Sequence, residues 1–114
     1  MSSQLEERFE KFAIAVRDFC LAVKRDIINR EYIGQLIRSG GSVGANYIEA
    51  SESLGKADEL MKLKISRREA KESIHWLRLI LVYDNTKLEH DRNNLIYETE
   101  QIKKILSAII IKLK

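Results

Sequence analysis

At 114 residues the chain is the size of one domain, expected to span residues 1–114, and its 45% hydrophobic and 32% charged composition suits a set of amphipathic helices. The formal charge of +3 is mild, no proline occurs, and the single Cys20, set among Phe19, Leu21 and Val23, excludes an internal disulfide and suits a reducing cytoplasm. The charged N-terminus lacks the apolar core of a signal peptide, and the hydrophobic runs, among them Leu79 to Tyr83, reach no more than five residues, far too short to span a bilayer, so a cytoplasmic protein with no membrane partner is expected.

Leu5, Phe9, Phe12, Val16, Phe19 and Val23 recur at alternating spacings of four and three, with Ala13 and Cys20 widening the stripe. This pattern predicts a first helix from about Ser3 to Arg25, buried along one seam. Ile33, Leu36, Ile37, Val43, Tyr47 and Ile48 keep one helical phase in a second segment that ends near Ser53, before Gly55. That rhythm passes through Gly40, Gly41 and Gly44, although a glycine inside a helix costs about 1 kcal/mol relative to alanine. The expected cause is close approach of a neighbouring backbone, with helix two continuing through the glycine-rich segment but bent there.

The third segment, from about Ala57 to Asp84, places Leu60, Leu63, Ala70, Ile74, Leu77 and Leu81 on one face. Trp76, Leu79, Ile80 and Tyr83 occupy other faces near its end, more than one intramolecular seam covers, and are the candidates for an oligomer interface. After a polar turn at Asp84-Asn85-Thr86, Leu95, Ile102, Ile105, Leu106, Ile109, Ile110 and Leu113 mark a fourth helix running to the terminus. Strand-like alternation is absent and the connections are short, so neighbouring helices should be antiparallel. The fold class predicted is all-α, an antiparallel up-and-down four-helix bundle.

Charge is unevenly spread. Lys56 to Arg78 carries seven Lys/Arg against four Asp/Glu, and Lys103, Lys104, Lys112 and Lys114 stand unopposed after Glu100. Lys62, Arg67, Arg68, Lys71 and Arg78 are the candidate residues for binding RNA or DNA. The competing reading is a solvated helix face, with cations favourably placed at a helix C-terminus.

Enzyme signatures are wanting. Gly40-Gly41-Ser42-Val43-Gly44 lacks the Gly-Lys-Ser/Thr of a phosphate-binding loop and has helix on both sides. Glu72 and His75 have the spacing of one half of a di-iron site, but His90 follows Lys87 at three positions and supplies no second half. No catalytic residue, metal ligand or cofactor is expected, and His75 reads as a polar contact beside Trp76.

Ser42, Asn46 and Glu49 form a polar motif on helix two. A buried carboxylate costs several kcal/mol unless paired, so Asn46 and Glu49 are expected to be largely buried and to fix register against helix three, with Arg67, Arg68 or Ser66 as partner.

The combination Gln35-Leu36-x-Arg38-Ser39, Ser42-Val43-Gly44-Ala45-Asn46-x-x-Glu49-Ala50, Ser66-Arg67-Arg68-Glu69-Ala70-Lys71-Glu72-Ser73 and Trp76-Leu77 resembles the four-helix-bundle proteins encoded in intervening sequences of bacterial 23S ribosomal RNA genes. It is also similar to the related accessory proteins of diversity-generating retroelements. The resemblance, from Phe9 to Leu113, implies a small antiparallel bundle that assembles as a ring-shaped homopentamer without known catalytic activity. In the retroelement branch it implies binding to a reverse transcriptase and to nucleic acid through a basic surface. The alternative is a structural or regulatory bundle with no nucleic-acid partner.

Overall fold

Three of the four helices begin where a short polar side chain captures backbone N–H groups that have no partner in the first turn, and the third helix follows a glycine. In the computed structural model, which describes residues 2–114, the Ser2 hydroxyl accepts from the amides of Gln4 and Leu5 at 3.1 and 3.4 Å and opens α1, Ser3–Ala22. Asp26 accepts from Ile28 and Asn29 to open α2, Ile27–Ser51. Gly55, at φ 153°, precedes α3, Lys56–Leu79, and Asn85 accepts from Leu88 at the start of α4, Thr86–Leu113. Each helix packs on the next and α1 meets α4, making an antiparallel four-helix bundle 46 × 22 × 19 Å in extent.

The apolar stripes meet in one core. Phe9, Phe12, Val16 and Phe19 of α1 face Leu36, Val43 and Tyr47 of α2, Leu63, Ala70 and Leu77 of α3, and Ile102, Leu106 and Ile110 of α4. Phe9 and Tyr47 meet edge to face at 5.0 Å. Arg8 of α1 grips Glu98 of α4 with two hydrogen bonds, Nε at 2.9 Å and Nη2 at 2.7 Å, and the Glu98 contact raises the guanidinium pKa.

Helix α2 is continuous through the glycines. A Cβ at Gly40 would lie 3.2 Å from Val16 Cγ1 and one at Gly44 would lie 3.3 Å from Phe9 Cβ, so α1 approaches α2 more closely there than alanine would comfortably permit. Gly41 differs: a Cβ there would meet nothing within 4 Å.

Two helix ends differ from expectation. Helix α1 stops at Ala22 rather than Arg25, because Asp26 caps α2 and the intervening chain is already extended from Val23. Helix α3 stops at Leu79 rather than Asp84 because its end is captured from outside. The fully buried Asn29 side chain accepts from Leu81 N–H at 2.8 Å and donates to the carbonyls of Leu81 and Lys24, each at 2.9 Å. Arg92 of α4 donates to the Leu77 carbonyl at 3.1 Å and to that of Ile80. Tyr83 and Asp84 then turn the chain with φ of 50° and 63°. Tyr83 therefore belongs to the turn and donates to Asp26, while Ile80 is 1% exposed and lies in the core.

Inward and outward positions on α2 also differ from the prediction. Ile37 and Ile48 are each 49% exposed, since both sit about 100° around the helix from the Leu36–Val43–Tyr47 seam.

Candidate nucleic-acid interface

Helix α3 is divided lengthwise. Its inner stripe is Leu63, Ser66, Ala70, Ser73 and Leu77, all buried. On the opposite side Lys64, Arg68, Lys71, His75 and Arg78 recur at spacings of four and three, and all five are exposed. At 1.5 Å per residue the stripe is about 21 Å long. It borders the groove between α3 and α4, which Lys103 of α4 enters alongside Arg68, Lys71 and Arg78. Arg67 lies one position deeper and donates to Ser107 Oγ of α4 at 3.2 Å, holding the two helices together.

Among the described residues, Arg68, Lys71 and Arg78 make no ion pair. Glu72 and Glu100 share the groove, and Lys103 reaches Glu100 at 3.5 Å, so the cationic field is partly offset. Burial, then Glu72, raises the Glu69 carboxyl above its ordinary range against the opposing pull of Arg68 and Arg38.

Four of the five residues singled out from the sequence thus come together: Arg67, Arg68, Lys71 and Arg78. Lys62 does not. It turns toward α2, where its ammonium sits 3.6 Å from Glu49. Lys64, His75 and Lys103 complete the surface and were missed. The alternation of four and three from Lys64 to Arg78 was a visible signal for the first two, whereas Lys103 joins through tertiary packing.

The polar motif of α2 behaves differently from the expectation. Asn46 is half-buried and donates to the Ser42 carbonyl of its own helix at 2.8 Å, while Ser42 donates to Arg38 O, also at 2.8 Å. Glu49 is exposed, with Lys62 rather than Arg67 or Arg68 as its partner, because its position faces outward beside the α2–α3 seam. The register between these helices is held by serines. Ser66 donates to Val43 O at 2.7 Å, and Ser39 and Ser73 share a hydrogen bond at 2.8 Å, all three residues buried. Among the described residues, no buried side-chain polar atom lacks a partner.

Trp76 is half-buried, stacked on Tyr32 of α2 at 6.1 Å, with His75 edge-on at 4.8 Å. Leu79 is 37% exposed and Tyr83 is 50% exposed, so with Ile80 in the core the four interface candidates do not form one apolar patch. Among the described residues no group of three or more His, Cys, Asp or Glu could hold a metal, and no helix is long and apolar enough to cross a membrane.

These features define a small all-helical bundle protein with a cation-lined outer groove. The chain belongs to the 23S rRNA-intervening sequence protein family, whose model matches residues 5–108. Among solved structures it is similar to a protein of unknown function from the S23 ribosomal protein family of Bacteroides thetaiotaomicron, with 28% identity and a TM-score of 0.78 over 92% of this chain and 96% of that one. No curated protein sequence matches the chain.

Proposed function

We propose that this protein is a non-enzymatic homo-oligomeric helical scaffold, a homopentamer, that docks RNA or DNA, or a nucleic-acid-handling protein such as a reverse transcriptase, through the basic face of α3 and α4. The observation that carries the reading is the exposed row Lys64, Arg68, Lys71, His75 and Arg78, whose Arg and Lys members outnumber the acids facing the same groove. A cationic row of this length follows a phosphate backbone, and closed symmetry repeats it around the assembly, turning weak single-subunit attraction into avidity. The family's association with 23S rRNA intervening sequences agrees with a nucleic-acid setting.

Fluorescence anisotropy with structured RNA and duplex DNA tests the reading. If four phosphates are neutralised per subunit, log K falls against log salt with a slope of about −3.6 on a duplex. Arg68→Glu with Lys71→Glu abolishes binding, while Lys62→Glu, off the row, leaves it nearly unchanged. Absence of binding at low ionic strength supports the second reading, a structural or regulatory bundle with no nucleic-acid partner. What favours that alternative is the pairing of Lys103 with Glu100 and the presence of Glu72 in the groove. Light scattering that returns a 13.2 kDa particle at micromolar concentration overturns the oligomer.

A further inference from the structure

Helix α2 carries a second outward stripe that the core does not use. Gly34, Ile37, Gly41, Ala45 and Ile48 follow one another at spacings of three and four, all exposed and none charged. A Cβ at Gly34 or Gly41 would meet nothing within 4 Å, so no contact inside the molecule accounts for glycines that weaken the helix. The C-terminal part of the stripe, Gly41, Ala45 and Ile48, forms the floor of a groove between α1 and α2, with Ala13 opposite and Glu6, Glu7 and Glu10 along the α1 rim. Glu7 is paired with Lys11 at 3.1 Å, whereas among the described residues no ion pair engages Glu6 or Glu10.

A matching ridge exists on the same chain. The outer face of α4 presents Tyr97, Lys104, Ala108 and Ile111, with Lys112 beside them, all exposed. Ile111 is 71% exposed, and among the described residues Lys104 and Lys112 make no ion pair. At its C-terminal end Ala108 and Ile111 are flanked by Lys104 and Lys112, the converse of a groove that is apolar on its floor and acidic on its rim. The outer row of α3 has the cations without the apolar centre, which makes α4 the better fit.

We propose that the α1–α2 groove receives the C-terminal half of α4 from a second copy of this chain, Ala108 and Ile111 against Gly41, Ala45 and Ile48, with Lys104 and Lys112 meeting Glu6 and Glu10. This rests on the homo-oligomer reading above and names the surfaces that make it. Groove and ridge are different surfaces, so the contact is heterologous, and each copy offers one of each to its two neighbours until a ring closes. The basic groove of α3 and α4 stays uncovered.

The test is the mass of the full chain by light scattering, with circular dichroism as the check on folding. Glu6→Lys with Glu10→Lys, and separately Lys104→Glu with Lys112→Glu, are each expected to reduce the oligomer to the single chain, and combining all four restores it. Gly41→Leu, which fills the groove without touching the core, is expected to do the same with helix content unchanged. An oligomeric parent whose mass none of these variants alters overturns the groove-and-ridge interface and leaves self-association standing. A monomeric parent removes both.

Discussion

Among the described residues, the Asn29 side chain satisfies more of the backbone between helices than any other. Its amide holds three main-chain groups of two loops, and an apolar replacement of similar size would leave Leu81 N–H and the Leu81 and Lys24 carbonyls without that partner. Unpaired buried polar groups cost about 1–3 kcal/mol each, so Asn29→Ala is expected to destabilise the fold by about 3 kcal/mol in urea unfolding. A loss below about 1 kcal/mol would show that water takes over these bonds. Cys20 offers a second residue-level check. Burial pushes its thiol up to about 11, leaving on the order of one thiolate per thousand chains at pH 8. It should resist alkylation in the native protein and react at once in urea, and fast native labelling would place it nearer the surface. Both residues were only partly legible: the apolar neighbours of Cys20 announced a buried thiol, but nothing local distinguishes Asn29 from a surface asparagine.

At the scale of helices, the buried polar contacts between α2 and α3 are hydroxyls rather than charges. Glu49 faces solvent beside Lys62, and exposed ion pairs contribute about 0–1 kcal/mol, so Glu49→Ala is expected to melt within that margin of the parent. A loss of 3–5 kcal/mol, typical of breaking a buried pair, would restore the buried role that the sequence suggested. Glu69 behaves in the opposite sense to a stabilising carboxylate. Because its pKa is raised in the folded chain, its ionised form subtracts stability at neutral pH, and that penalty vanishes below the ordinary glutamate value of 4.5. Glu69→Gln should therefore melt higher than the parent at pH 7, with the difference closing by about pH 4. Equal melting at both pH values would mean that Arg68 and Arg38 fully compensate burial.

For the whole molecule, the proposed ring of groove and ridge, if it forms, couples folding to assembly. Anything that binds the folded state alone raises the apparent stability by mass action, so the thermal midpoint should climb with protein concentration. Trp76, stacked on Tyr32 between α2 and α3, reports the transition by fluorescence alongside helical circular dichroism. A midpoint independent of concentration from micromolar to millimolar would indicate a chain that unfolds alone.

The order and antiparallel run of the helices were legible in the sequence, because apolar periodicity acts within a few residues and the connections between the segments are short. Continuity of α2 through its glycines followed from the same periodicity, and Val16 and Phe9 supply the close contact that Gly40 and Gly44 accommodate. What depended on a neighbouring helix was decided only in three dimensions. Asn29 and Arg92 end α3 at Leu79 from two other helices, burying Ile80 and moving Tyr83 into a turn. A rotation of about 100° separates exposed Ile48 from the seam it was assigned to. Lys103 joins Arg68 and Lys71 only because α4 lies against α3, and Lys62 leaves them because its side of α3 meets α2. Local periodicity settles which residues share a helix face; which face meets which partner is a property of the packed bundle.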